Sequence, residues 1–115
     1  RYVAVLRRRA SSSREEFLAA WLGEHQSLAR ALPHVRAVSF QPAVPVPGME
    51  QTYDGVGILE FDSIEDLRSS LSSEQALALR AHTATFADPA SVVRAVVAPV
   101  EERAPGSTGP EVRPA

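Results

Sequence analysis

The chain has no cysteine, and this removes disulfides, thiolate metal ligands and thiol nucleophiles at once. It has no lysine either, so a Schiff base cannot form on a side-chain amine. No apolar run approaches the ~20 residues that a membrane span needs. The net charge is only −2, which leaves no electrostatic footprint for nucleic acid or an anionic membrane. Arg1–Leu6 is too short for the apolar core of a secretion signal and runs straight into Arg7–Arg9. A cytoplasmic protein is expected. The all-Arg, Ala-rich usage suggests a GC-rich bacterial genome. There is no glycine-rich phosphate loop and no dinucleotide fingerprint, so no cofactor is expected. Three histidines lie on different elements without an HExxH pattern, and no metal site is expected.

What remains is an ordinary globular composition. Of 115 residues, 44% are hydrophobic and 23% charged, enough for one domain with a real core. Residues 1–102 read as that domain. Residues 103–115 are rich in Pro, Gly and Ser and read as a disordered tail.

Hydrophobic periodicity assigns the elements. Tyr2–Leu6 suits a short strand. Ser12 with Glu15, and Ser13 with Glu16, have capping-box spacing, so a helix is predicted from near Ser13 to just before Pro33. Val35–Gln41 reads as a second strand. Pro42, Pro45, Pro47 and Gly48 make 42–52 a loop. Tyr53–Phe61 is a third strand, interrupted by Gly55 and Gly57. Asp62 or Ser63 caps a short helix carrying Ile64, Leu67 and Leu71. A further helix spans about Ser73 to Phe86, and Val92–Val100 is a last strand, ending by about Glu102.

The order β-α-β-β-α-β is that of an α+β, ferredoxin-like sandwich with a four-stranded antiparallel sheet. Val3–Leu6 and Val92–Val100 are apolar on both faces, as in strands buried on both sides. Two helices cover only one face of such a sheet. The other face calls for a partner, most simply a second copy of the chain.

One residue breaks the pattern of the first helix. At ~100° per residue, Phe17, Leu18, Trp21, Leu22, Leu28, Ala29 and Leu32 share one face, and His25 falls among them. A buried imidazole must find a hydrogen-bond partner or cost free energy. It is also the side chain whose unperturbed pKa suits proton transfer near neutrality. His25 is therefore either a satisfied core residue or the acid/base of an internal pocket. Trp21, one turn earlier, offers a flat wall to an aromatic ligand, or simply packs in the core.

Other candidates carry similar pairs of readings. Asp54 could orient His25 and raise its pKa, or cap a turn. Tyr53 could donate to a substrate carbonyl, or cover the sheet end. Gly55 and Gly57 share one strand face, which suggests close approach by a ligand or a helix, or a bulge. Gln41 could reach into a cleft as an amide donor. His82, near Leu79 and Phe86, is a second candidate acid/base or a structural histidine.

These residues together resemble a known family, the EthD-domain proteins of the dimeric α+β barrel superfamily. The resemblance rests on Glu16-Phe17 with Trp21 and His25, Leu32-Pro33-His34-Val35-Arg36, and Gln41. It continues through Tyr53-Asp54-Gly55-Val56, Glu60-Phe61-Asp62-Ser63 and Phe86-Ala87-Asp88, and runs from about Tyr2 to Val100. It implies a homodimer whose two sheets form a shared barrel, with a ligand cleft in each subunit between sheet and helices. His25 would point into that cleft. Relatives include lactone isomerases and fungal enzymes that dehydrate or oxidise aromatic polyketides. Some isomerase relatives carry a tyrosine in the second strand where this chain has Val38 or Phe40, which implies a more apolar pocket here.

The expectation is then a cofactor-independent enzyme acting on a small hydrophobic aromatic or polyketide-derived substrate by proton transfer. Cyclisation, dehydration and isomerisation are the reaction classes. His25, Asp54 and Tyr53 would act on the substrate, and Trp21, Val38, Phe40, Gln41, His82 and Phe86 would bind it. The alternatives are a non-catalytic small-molecule binder and a cofactor-free monooxygenase.

Overall fold

The structure is a computed structural model that describes residues 1–98. The expected tail and the last two residues of the predicted fourth strand lie outside the described residues, and the strand itself already ends at Val96, short of the predicted Val100.

The expected element order is present. β1 is Tyr2–Leu6, β2 Ala37–Pro42, β3 Gly55–Glu60 and β4 Val93–Val96. They form one antiparallel sheet in the order β2-β3-β1-β4. This is the ferredoxin-like α+β arrangement, with its helices on one face. β2 starts two residues later than predicted. β3 begins at Gly55 and not at Tyr53, because the backbone of Asp54 is diverted to join the end of β1 to the residue that follows β2. Its N–H donates to the Leu6 carbonyl and its own carbonyl accepts from Ala43.

The first helix departs from the predicted single run. It is α1 (Arg14–Ala20), then a π-helical segment Trp21–His25, then α2 (Gln26–Arg30). Ser13 and Glu16 form the capping box. The π segment is one widened turn, closed by a Gln26 N–H to Trp21 carbonyl bond. Such insertions occur disproportionately at functional sites. Here it keeps both Trp21 and His25, its first and last residues, on the buried side. α3 (Ile64–Leu71) starts at Ser63, whose hydroxyl accepts from Asp66. α4 (Glu74–Phe86) starts at Ser73, whose hydroxyl accepts from Ala76.

Side-chain alternation sorts the sheet into two faces. Phe40, Gly57, Ala4 and Arg94 are consecutive cross-strand neighbours and form one row across the helix side. Pro42, Gly55 and Leu6 form a second row, and Val38, Leu59, Tyr2 and Val96 a third. The core under the helices is divided. One cluster is Leu6, Phe17, Trp21, Phe86 and Ala87. The other is Ala29, Leu32, Leu59 and Ala76.

Gly55 shows why a side chain is missing at that point. A Cβ there would overlap the benzo edge of the Trp21 ring, which is completely buried. Gly55→Ala should therefore destabilise the fold by about 1–3 kcal/mol, the usual cost of overpacking. Urea unfolding measures it, and a variant within a few tenths of wild type would mean that Trp21 yields easily.

Candidate functional site

Between the two core clusters lies a cavity of about 60 Å³. Its floor is the middle of the first row, Ala4 and Gly57, where two small residues leave space beneath the helices. Phe40 stands at one end of that row and Arg94 at the other, three strand spacings or about 14 Å apart. Trp21, His25, Ala29, Ala76, Leu79 and Thr83 contribute to the rest of the lining. Arg80 and Arg94 are the exposed members of the lining and mark its mouth.

The aromatic wall is continuous. Trp21 stacks on Phe40 at 4.8 Å between centroids and 10° between planes. The edge of Phe86 meets His25 at 4.9 Å. The Trp21 indole N–H is fully buried and has no acceptor among the described residues, a cost of about 1–3 kcal/mol. His25 is 6% exposed and lies against these rings.

The partner of His25 is a second histidine. Its Nδ1 lies 3.0 Å from Nδ1 of His82 on α4, and the rings stack with 22° between planes. The other nitrogen of His82, Nε2, lies 3.2 Å from Oε2 of Glu24. The His82 side chain is 14% exposed and Glu24 72%, so the three groups lead from the cavity to solvent. The Nε2 atom of His25 makes no hydrogen bond among the described residues. Burial, reinforced by the charge on His82, pushes the His25 imidazole down from 6.5 to about 4. It is therefore neutral and able to accept a proton across the physiological range.

Not every expected residue joins this group. Phe40, His82 and Phe86 pack around His25, and Trp21 stacks on Phe40; of these, Trp21 and Phe40 line the cavity with His25, whereas His82 and Phe86, expected to bind substrate, lie outside its lining. Val38 is on the same sheet face, packed against the second cluster and outside the cavity lining. Gln41 is not in the cleft. It alternates with Phe40, points to the opposite sheet face and hydrogen-bonds Ser39. Asp54 does not orient His25. Its carboxylate accepts the Arg8 backbone N–H at 2.8 Å and, more weakly, the Gln51 amide at 3.4 Å. Tyr53 stands beside it under the Arg7 guanidinium, 5.7 Å from the ring centroid, at the sheet end and outside the cavity lining. Tyr2, Glu24, Arg80 and Arg94 enter the picture unexpected. Arg94 was legible from strand parity with Val92; Glu24 was hidden because its role depends on where α4 packs.

Among the described residues, no group of three or more His, Asp or Glu stands where a metal could be held, and no helix is long and apolar enough to cross a membrane.

A family model described as the EthD domain matches residues 9–90. No curated protein matches the chain. Solved structures share the fold. An EthD family protein from Bacillus halodurans is 14% identical with a TM-score of 0.68, covering 84% of this chain and 96% of its own. A DABB family protein with a ferredoxin-like fold from Mesorhizobium loti is 16% identical with a TM-score of 0.67, covering 87% and 95%. A dimeric protein of unknown function from Bacteroides fragilis is 18% identical with a TM-score of 0.62, covering 82% and 89%.

Proposed function

The chain belongs to the EthD-domain family, and from that premise we propose a cofactor-independent enzyme that moves a proton on a small hydrophobic substrate, with His25 as general base. The observation that carries this reading is the division of labour at His25. One nitrogen is held by His82, while the other has no partner among the described residues and the ring lines a cavity. A purely structural histidine would have both nitrogens engaged.

The chemistry follows from what surrounds the ring. Nε2 takes a proton from a carbon next to a carbonyl, and the electron pair passes onto the carbonyl oxygen. The Trp21–Phe40 stack and the Ala4–Gly57 floor hold the apolar part of the substrate. The developing oxyanion is directed to the mouth, where Arg80 and Arg94 stand. Returning the proton to a different carbon isomerises the substrate, and loss of a β-hydroxyl dehydrates it. At about 60 Å³ the cavity is smaller than the roughly 150 Å³ that accommodates benzene. A single ring thus fits only by reaching into the mouth or displacing a wall, and a fused polycycle would lie mostly outside the enclosed space.

The competing reading is a non-catalytic binder. Proton exchange separates the two. Aryl ketones and unsaturated lactones in D2O, followed by NMR, should exchange the carbon-bound hydrogen next to the carbonyl faster with protein than in buffer. Binding of every such compound without exchange would establish the binder. Gly57→Val puts two methyl groups on the cavity floor, where even a Cβ already lies 3.3 Å from Phe40. It should lower exchange at least about tenfold, equivalent to ~1.4 kcal/mol. Unchanged exchange in a folded Gly57→Val variant would place the substrate elsewhere.

A homodimer belongs to the same proposal. The sheet face away from the helices carries Val3, Val5, Val56, Ile58, Val93, Ala95 and Val97, with Val93 49% and Val97 43% exposed. The Bacteroides fragilis relative is dimeric. Sedimentation equilibrium should return twice the monomer mass.

A further inference from the structure

We infer that Glu24, His82 and His25 form a proton relay in which Glu24 sets the tautomer of both rings and His82 stores the proton taken from the substrate. This rests on the proton-transfer reading of the site.

The argument starts at the surface. A carboxylate only accepts hydrogen bonds, so the His82 Nε2 that faces Glu24 at 3.2 Å carries a hydrogen. A neutral His82 then has a bare Nδ1. The 3.0 Å contact between the two Nδ1 atoms needs one hydrogen, and only His25 is left to supply it. With its hydrogen on Nδ1, His25 presents a bare Nε2. One solvent-side carboxylate thus leaves a lone pair on the cavity residue.

The same chain says where the proton goes. When the substrate C–H bond breaks, its electron pair stays on the substrate as an enolate and the proton joins Nε2 of His25. The hydrogen on Nδ1 of His25 passes to Nδ1 of His82. His82 becomes an imidazolium against the Glu24 carboxylate, and His25 is neutral again with its hydrogen on Nε2. It is now an acid, ready to return a proton to a second carbon. A proton left on His25 would sit among Trp21, Phe40 and Phe86, with Arg80 and Arg94 as the other charged groups lining that cavity. Burial resists the charged form there, to about 4. On His82 the same proton faces a carboxylate. Glu24 touches no substrate and is a positioning residue.

The test reads the rings directly, by ¹⁵N NMR of the imidazoles in the full chain. At alkaline pH, His25 should carry its hydrogen on Nδ1 and His82 on Nε2. On acidification the first proton should appear on Nδ1 of His82, while His25 stays neutral and switches to Nε2–H. Glu24→Lys places a donor where the acceptor stood. It should invert both neutral tautomers and lower C–H exchange at least about tenfold. A His25 with Nε2–H at alkaline pH, or first protonation on His25, overturns the relay; so do unchanged tautomers in Glu24→Lys. The wild-type titration decides even if that variant fails to fold. These spectra need no substrate. The expected pattern without any catalysed exchange would sink the base chemistry and keep only the tautomers that Glu24 sets on the two rings. Exchange with the contrary pattern would do the reverse.

Discussion

His25→Ala should lower catalysed C–H exchange by at least about 100-fold, the lower end of what a positioned general base contributes. The reason is geometric as much as chemical. The cavity is lined by apolar and aromatic side chains, and the other polar groups in the lining are Tyr2, Arg80, Thr83 and Arg94. A guanidinium is a donor only and offers no lone pair for a proton. The Thr83 hydroxyl is committed to the Leu79 carbonyl at 3.0 Å. His82 reaches the cavity only through His25. Removing the ring leaves no base in place, and a water admitted to the gap is a far weaker one. The truncation also empties space among Trp21, Phe40 and Phe86, so a second variant guards against loss of fold. His25→Gln fills much of the volume and its amide N–H can still donate to the bare Nδ1 of His82, but it cannot take a proton near neutrality. Both variants should fall together in exchange, with denaturation showing a folded chain. Full exchange in folded His25→Gln would end the assignment.

The placement of His25 was legible because it depends on local periodicity alone. The helical spacing of Phe17, Trp21, His25 and Ala29 survives the π segment, and all four are buried. The order of elements along the chain followed for the same reason, from short apolar runs separated by turn residues. Gly55 and Gly57 were readable as points where a ligand or a helix comes close, or as a bulge. The sequence left open what approaches, and the structure assigns Trp21 to the first and Phe40 beside the cavity floor to the second. The partner of His25 was not legible. His82 is 57 residues away, and only the packing of α4 against the first helix joins them. Asp54 was the chemically reasonable substitute, but its carboxylate is used to hold the Arg8 backbone. Gln41 was a parity error. Strand side chains alternate, so a cleft that takes Val38 and Phe40 from one strand cannot also take the residue after Phe40.

Lowering the pH from about 6.5 to 4 should cost the fold up to roughly 3 kcal/mol through His25 alone. Burial first, and the charge on His82 second, hold the His25 imidazole near 4 in the folded chain against 6.5 when unfolded. Above 6.5 neither state protonates it and the contribution is flat. Below 6.5 the unfolded chain takes a proton that the folded chain refuses, so stability falls as pH falls. The loss is complete near 4, where the folded site titrates as well. At about 1.4 kcal/mol per pH unit, less what the folded site recovers as it begins to titrate near 4, that interval gives the figure above. It is a large share of the ~5–15 kcal/mol that holds a typical domain together. Carboxylates contribute in the same direction lower on the scale; Glu16, for one, is held below its ordinary value by the Ser13 backbone and hydroxyl. The comparison that isolates the histidine is therefore between wild type and His25→Gln, by urea unfolding at pH 7.5 and pH 4.5. The wild-type chain should lose more stability over this interval, and the variant should keep only the shallower carboxylate slope. Equal slopes would mean that the folded site accepts the second proton freely, and that His25 is less desolvated than its surroundings imply.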